Sequence, residues 1–356
     1  MTDPPPNAGR WAGPPARRPV SAHPLGSVRL VHHPPEDAHA VALALFEAAD
    51  RVGGSLRSRV AAVLERLGGA DALMDPLLGP GPSGLEPVPA GTLTLLRSVL
   101  SPEAVAWWDD RLRRLRTRSA GTGVPGGGTT VVTVGDRAYP ANLGQVADRP
   151  PFLFSRGPLV AMGRRLVAVI GTREPSRAGV ARARLLATAL AEANVVVVSG
   201  LAVGIDATAH RAALAAGGPT LAVLGHGVGR PLYPSANRRL SGAILASGGA
   251  LVSQFWPDQP PDLKSFPARN VTMSGLCVGT VVVEAGERSG ARQQARRCLR
   301  HERILFLPRR LVETEPWARR TAELAGVEVF DADDQVLARI DATVAGAPRP
   351  AQLAFG

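Results

Sequence analysis

Residues 166–225 read LVAVIGTREPSRAGVARARLLATALAEANVVVVSGLAVGIDATAHRAALAAGGPTLAVLG, and this stretch decides the fold. Three short, mostly β-branched runs alternate in it with two longer runs whose apolar residues recur every three or four positions. Continuous apolar strands separated by helices are typical of a parallel sheet that helices cover on both faces. The stretch therefore predicts an α/β protein with a doubly wound, Rossmann-like sheet.

The same alternation continues towards the carboxyl terminus. Further strands are predicted at ALVSQ, GTVVVEAG, RILFLP and VEVF, which occupy residues 250–254, 279–286, 303–308 and 327–330. Helices are predicted over 176–193, 205–216, 236–247, 290–300, 317–325 and 333–340, with a short helix near 270–276. The pattern indicates a Rossmann-like domain over 131–312 that ends in a helix–strand–helix over 313–345.

The amino-terminal part has a different pattern. Residues 1–37 are rich in Pro, Gly and Arg without an apolar period, which predicts a disordered tail. Residues 38–120 contain helical apolar spacing and predict a small helical domain. Its last helix carries several arginines, which we interpret as a solvated face paired with Asp109 and Asp110; contact with nucleic acid is the alternative. A linker over 121–130 and a tail over 346–356 complete the organisation.

The charge balance favours an anionic partner. The chain has 41 basic and 30 acidic residues, a net charge of +11, and Lys264 is its single lysine. Arginine presents a planar fork that suits phosphates and stacks on bases; the codon usage of a GC-rich genome is the alternative explanation of the Arg/Lys ratio. Cys277 and Cys298 lack metal-ligand spacing and favour a reducing cytoplasm. Neither a membrane segment nor secretion nor a metal site is expected.

Polar and glycine-rich motifs follow the predicted strands where each strand ends. Gly171-Thr172-Arg173 follows the first strand, Ser199-Gly200 the second, Gly225-His226-Gly227 the third and Ser289-Gly290 the fifth. Because the carboxyl ends of parallel strands meet at one sheet edge, these loops predict a single site, and glycine lets the backbone approach a phosphate. Tight turns alone are the alternative explanation of each loop. The dinucleotide and P-loop fingerprints are absent, which disfavours NAD and ATP, and no cofactor is expected.

The motifs together resemble the DNA-processing protein A family, called DprA or Smf. The resemblance rests on VAVIGTREPS, VVVVSGLAVGIDATAHRAAL, LAVLGHGV, LYPSANRRL, LVSQF, FPARN and VVVEAGERSG, and extends upstream to Asp136, Tyr139-Pro140 and PPFLFSRG. It implies sequence-independent binding of single-stranded DNA, protection of incoming DNA, loading of RecA in natural transformation and recombination, and dimerisation, with no reaction and a cytoplasmic location. The helical domain weakly resembles that of the family, of the SAM or helix-hairpin-helix type.

Twelve residues are predicted to contact DNA or its phosphates, with no catalytic or metal-binding residue among them. They are Gly171, Thr172, Arg173, Ser199, Gly200, Lys264, Phe266, Arg269, Asn270, Ser289, Gly290 and Arg292. Arg269 is the strongest candidate; an ion pair with Asp262 or a cap on the preceding strand is its structural alternative.

Several positions depart from the family pattern. Val203 and Val271 stand where the family commonly has basic residues, and Arg288 and Arg292 are hypothesised to compensate. Asp206 and His210, four positions apart, are interpreted as a loop-bonded carboxylate and a packed histidine rather than an acid–base pair.

The residues are also compatible with two other functions. The first is a nucleotide-binding or nucleotide-hydrolysing protein related to phosphoribohydrolases, for which Glu284 is the supporting residue. The second is a role in protein interaction alone, in which the helical domain recruits a partner.

Overall fold

The computed structural model describes residues 36–78, 88–117, 128–159, 163 and 165–346. Most of the predicted tails 1–37 and 346–356 and of the linker 121–130 therefore lies outside the described residues. Within the described part, nine strands form one sheet in the order β1-β2-β6-β5-β4-β3-β7-β8-β9. They are β1 (Thr129–Thr133), β2 (Phe152–Arg156), β3 (Leu166–Ile170), β4 (Val196–Ser199), β5 (Thr220–Val223), β6 (Ala250–Ser253), β7 (Gly279–Val282), β8 (Ile304–Pro308) and β9 (Val327–Phe330). Strands β3 to β9 run parallel, which confirms the α/β, doubly wound, Rossmann-like fold class.

Helices cover the sheet on both faces. They are α1 (Ala38–Val52), α2 (Leu56–Leu67), α3 (Met74–Leu78), α4 (Ala90–Val99), α5 (Pro102–Thr117), α6 (Ala141–Gly144), α7 (Arg177–Glu192), α8 (Ile205–Ala215), α9 (Arg238–Ala246), α10 (Ser265–Leu276), α11 (Gly290–Arg300), α12 (Arg309–Thr314), α13 (Pro316–Ala322) and α14 (Asp333–Gly346). On β3, Val167 and Val169 enter one apolar core with residues of α7, α8 and α14. Ala168 and Ile170 enter the other core with residues of α10 and α11. This alternation is the pleat of a strand buried on both faces.

An antiparallel pair extends the sheet at one edge. β2 pairs with β6, with Phe154 opposite Ser253, and β1 pairs with β2. Neither strand was predicted, because helix α6 between them has only 4 residues, too few to show a helical period, and no described helix lies between β2 and β3.

Helix α10 begins earlier than predicted. The sequence indicated a short helix near 270–276, whereas the helix starts at Ser265. The Asp262 carboxylate accepts hydrogen bonds from the backbone N–H groups of Lys264 and Ser265, both at 2.7 Å, and so supports the helix start. Pro267 lies in the first turn, where a helix has no need of its missing N–H group. Phe266 and Arg269, which precede the predicted start, are therefore helical residues rather than loop residues.

The helices of the amino-terminal part share an apolar core with the sheet edge. The rings of Phe46 and Phe152 lie 5.6 Å apart, and those of Trp108 and Trp256 lie 5.1 Å apart. The indole N–H of Trp108 donates to Glu47 at 2.9 Å. Along α5, ion pairs at spacing i,i+4 join the exposed Arg113 to the buried Asp109 and the exposed Arg114 to Asp110, as predicted for its arginine-rich face. The division of the chain into domains stays a prediction.

A charged cluster joins α1 to the turn after β1. The Nδ1 atom of His39 lies 2.9 Å from Asp37 and its Nε2 atom lies 2.9 Å from Asp136. Asp136 also accepts from the backbone N–H groups of Thr133 and Ala70 at 2.6 and 2.9 Å. Burial by itself lowers the pKa of His39, but the two carboxylates raise it to about 9, because only the imidazolium donates from both nitrogens. The same bonds lower the pKa values of Asp37 and Asp136 against the effect of burial.

Candidate nucleic-acid interface

A cleft of about 650 Å³ opens at the carboxyl ends of the central strands. From β3 the chain builds β4, β5 and β6 on one side and then places β7 on the other, so the topological switch point lies between β3 and β7. Ligands of doubly wound sheets bind at this point. The cleft is lined by the loop after β3, the loop after β7 and the first turns of α10 and α11.

Backbone hydrogen bonds tie the loops of this edge together. The N–H of Thr172 donates to the carbonyl of Glu284 at 2.7 Å, and the N–H of Ile205 donates to the carbonyl of Thr172 at 3.2 Å. Gly204 has φ +83°, and a Cβ atom there would lie 2.4 Å from the carbonyl oxygen of Thr172. The loops after β3, β4 and β7 therefore converge, as their sequence positions predicted.

The structure brings eight of the twelve predicted residues to the cleft. Those that line it are Gly171, Thr172, Arg173, Phe266, Arg269, Asn270, Ser289 and Gly290. Four others do not line it, namely Ser199, Gly200, Lys264 and Arg292. Ser199 is fully buried and its hydroxyl donates to the carbonyl of Val169 at 2.7 Å. Lys264 is exposed just before α10. The contact of all twelve residues with DNA stays a prediction.

Arg269 is buried at the edge of the cleft. Its guanidinium donates to the carbonyl of Val223, the last residue of β5, at 2.7 Å, and its Nε donates to Asn270 at 3.2 Å. A Cβ atom on Gly200 would lie 2.0 Å from this guanidinium, so the absence of a side chain there makes room for it. Burial lowers the pKa of Arg269, and the nearby Asp206 carboxylate opposes that shift. The sequence analysis gave a cap on the preceding strand as the structural alternative for Arg269. Arg269 does cap a strand, but this strand is β5 and not the preceding β6.

Asp206 and His210 have the structural environment that the sequence indicated. The Asp206 carboxylate accepts from the backbone N–H groups of Gly200 and Ala202 at 3.1 and 3.4 Å. Burial raises its pKa, although Arg269 lowers it. His210 is fully buried, its Nδ1 lies 2.8 Å from the hydroxyl of Thr220, and burial lowers its pKa to about 3. The histidine is therefore neutral at physiological pH.

Two exposed arginines give the cleft a cationic rim. Arg173 follows β3 and Arg288 follows β7, and both line the cleft. Among the described residues, neither side chain has an ion-pair partner. Arg173 also acts on Arg269 as a like charge, which lowers the pKa of the buried arginine. Val203 is exposed, whereas Val271 is buried within α10 and presents no side chain to solvent.

An amide side chain at the floor of the cleft lacks hydrogen-bond partners among the described residues. Gln294 is 1% exposed and neither its amide nitrogen nor its amide oxygen is paired there. Buried polar groups are rarely left unsatisfied, so Gln294 is one of the exceptions among the described side chains. The sequence contained a signal for this residue, because Ala291, Gln294, Ala295 and Cys298 follow the helical period of a buried face. Glutamine is the polar member of that set.

An aromatic pair stands beside the cleft. The rings of Tyr233 and Phe266 lie 5.9 Å apart and are tilted by 45°. Tyr233 is 48% exposed, and Leu263, which lines the cleft, is 91% exposed. Phe266 packs over Gly225, where a Cβ atom would lie 2.7 Å from the ring. Asn237 follows in the same loop, and its buried amide donates to the carbonyl of Leu201 at 3.0 Å, which ties this loop to the one after β4.

Glu284, the residue that supported a nucleotide-hydrolysing function, is bonded within the protein. It accepts from the backbone N–H and the hydroxyl of Ser176 at 3.0 and 2.8 Å, and so supports the start of α7. A Cβ atom on Gly179 would lie 1.8 Å from the same carboxylate. The described residues contain no cluster of three or more His, Cys, Asp or Glu side chains suited to a metal ion. None of the described helices has the length and apolar character needed to cross a membrane.

The sheet order and the basic cleft at its switch point define a Rossmann-like α/β protein without a dinucleotide fingerprint. Comparison with known proteins identifies it further. Residues 130–331 match the family model of the DNA recombination-mediator protein A, and the chain belongs to this family.

Relatives of known name agree with the assignment. Protein Smf of Escherichia coli is 44% identical over 168 residues, which cover 47% of this chain and 45% of that protein. DNA processing protein DprA of Streptococcus pneumoniae is 40% identical over 171 residues, which cover 48% of this chain and 60% of that protein. The chain therefore spans about half the length of these relatives.

Two solved structures share the fold. The S. pneumoniae DprA structure has a TM-score of 0.55 at 28% identity and covers 70% of this chain and 86% of its own. DNA processing protein A of Helicobacter pylori has a TM-score of 0.53 at 23% identity and covers 61% of this chain and 96% of its own.

Proposed function

We propose that the chain binds single-stranded DNA, without sequence preference, in the switch-point cleft. The observation that carries the proposal is the pair of exposed cations Arg173 and Arg288 on either side of the point where β3 and β7 end. Arginine binds phosphates through charge-assisted hydrogen bonds, and neutralising backbone phosphates releases counterions. Ser289 caps α11, whose positive end faces the same cleft and favours an anion.

An aromatic surface favours a single strand over a duplex. The exposed ring of Tyr233, paired with Phe266, provides a surface on which an unpaired base stacks. In a duplex the bases are stacked and paired with each other and do not reach the ring.

Family membership extends the proposal to the cellular role. We infer that the protein protects incoming DNA and loads RecA onto it in natural transformation and recombination. We further infer that it acts as a homodimer in the cytoplasm and catalyses no reaction of its own. The name of the S. pneumoniae relative, DNA processing protein DprA, supports DNA processing as the setting. The H. pylori protein, which shares the fold, has a single-stranded DNA binding mode.

The test is a salt titration of DNA binding. Fluorescence anisotropy would compare a labelled single strand with its duplex for the wild-type protein and for the Arg173→Gln/Arg288→Gln variant. We expect the wild type to prefer the single strand. The log–log salt slope should be about 1.4 smaller in magnitude for the variant, because each phosphate contact on a single strand contributes about 0.7.

The matched control removes the same charge elsewhere. Arg59 and Arg184 are exposed and do not line the cleft. The Arg59→Gln/Arg184→Gln variant should bind with the wild-type slope. Equal slopes for all three proteins would show that the cleft is not the DNA site, and equal affinity of the wild type for the two DNA forms would contradict binding through unpaired bases.

A further inference from the structure

A second basic concavity lies on the other side of α11, between α11 and α13. It has a volume of about 190 Å³ and its rim carries Arg292, Arg296 and Arg320. Its inner surface is formed by Ala295, Leu299, Trp317, Thr321 and Leu324. We call this concavity the α11–α13 groove.

The charges of the groove are only partly compensated. Arg292 and Arg320 share one carboxylate, that of Glu287, which Arg292 contacts closely and which lies 3.8 Å from Arg320. Arg296 is exposed and has no ion-pair partner among the residues that the structure describes. Three guanidinium groups therefore face one carboxylate, and the groove keeps a positive charge that suits an anion.

Helix α11 makes the groove continuous with the cleft. Ala291, Gln293 and Gln294 line the cleft, whereas Arg292 and Arg296 line the groove. Arg292 and Arg296 are one helical turn apart on the same face, so they form a short row of cations. Glu287 and Arg288 lie at the cleft next to Arg292, and Glu287 is also bonded to Arg292.

We infer that the groove is a second phosphate subsite, which binds the segment of a DNA single strand that leaves the cleft over the amino-terminal turn of α11. The inference rests on the proposed function and adds the path of the strand. A row of cations that begins at the cleft suits a polyanion with regularly spaced charges, since such a groove tracks a backbone. An acidic peptide would not need this continuity with the cleft.

The experiment uses two lengths of oligothymidylate with the full chain. A strand of about 4 nucleotides fills the cleft only, and one of about 12 nucleotides also reaches the groove, within the range of site sizes of single-strand binding proteins. For Arg296→Gln/Arg320→Gln we expect unchanged binding of the short strand. The long strand should bind about tenfold more weakly at low salt, with a salt slope about 1.4 smaller in magnitude.

The matched control is Arg300→Gln/Arg319→Gln. These two arginines lie on the same two helices, are exposed and do not line the groove, and their loss should leave both strands bound as by the wild type. Thermal melting of each variant would check that the fold is retained.

Unchanged binding of the long strand by the groove variant would overturn the inference and leave the groove to another anion, such as an acidic peptide. Equal weakening for both lengths would also overturn it, because the arginines would then act on the cleft. Failure of the wild type to bind either strand would instead overturn the proposed function, and the inference with it.

Discussion

The switch-point cleft and the junction between α1 and β1 both contain several charged side chains, but the two regions differ in whether these side chains have ion-pair partners within the protein. At the junction, His39 lies between two carboxylates, and Asp37 also pairs with Arg116. At the cleft, Arg173 and Arg288 are exposed and have no ion-pair partner in the described part of the chain. Charges satisfied inside the protein hold its parts together, whereas exposed charges left without a protein partner are available to a ligand.

Arg269 combines features of both regions. By position it lines the cleft, yet its hydrogen bonds to Val223 and Asn270 and its proximity to Asp206 are those of a structural residue. We therefore expect Arg269 to contribute mainly to the stability of the fold. The neighbouring Arg173 should contribute mainly to DNA binding.

The largest expected effect tests this assignment. Arg269→Met should lower the free energy of unfolding by about 3 kcal/mol, because it removes buried hydrogen bonds and a cation that stabilises the buried Asp206 carboxylate. Arg173→Met should change the free energy of unfolding by no more than about 0.5 kcal/mol, as is usual for exposed positions. Urea unfolding at neutral pH measures both. Similar values for the two variants would remove the distinction between the arginines.

The sequence was sufficient for the parallel sheet and for the convergence of its loops. Every parallel strand from β3 to β9 is an apolar run beside a helical one, and the carboxyl ends of such strands must meet. The antiparallel strands β1 and β2 were missed because α6 between them is too short to show a helical period and no described helix lies between β2 and β3.

The roles of individual side chains were less accessible to sequence reasoning. The motif FPARN located Arg269, but not that its guanidinium folds over Gly200, because this depends on α10 starting at Ser265 under the influence of Asp262. Glu284 was likewise placed at the correct strand end, while its bond to Ser176 depends on where α7 begins. Such contacts between distant segments are set by packing, which no local pattern encodes.

A smaller effect is expected at the junction, and it depends on pH. The pKa of His39 is about 9 in the folded protein against 6.5 for the free side chain. Its contribution to stability is therefore complete below about pH 6.5 and is lost as the pH rises to about 9; a value on the order of 2 kcal/mol is expected. Asp37 and Asp136 have lowered pKa values, so their contribution is present above pH 3.8 and is lost as the pH falls through their folded pKa.

The measurement is the difference in unfolding free energy between the wild type and His39→Gln across this range. The difference should be greatest near pH 6 and narrow towards pH 9. Other histidines titrate in both proteins and cancel in the difference. A difference that is constant with pH would mean that His39 acts through packing and not through its charge.

The smallest expected effect concerns the aromatic pair and separates stacking from charge at the cleft. Tyr233→Ala should weaken single-strand binding about tenfold, since base–aromatic stacking contributes about 1 to 3 kcal/mol per base. The backbone N–H of Tyr233 donates to His226, and the substitution leaves that bond in place. Duplex binding should be unaffected, and Tyr233→Phe should behave as the wild type.

The salt slope of Tyr233→Ala should equal that of the wild type, because stacking releases no counterions. Arg173→Gln/Arg288→Gln, by contrast, should lower the magnitude of the slope. A slope that falls with Tyr233→Ala would mean that the ring positions the arginines, and the division between stacking and charge at this cleft would then be wrong.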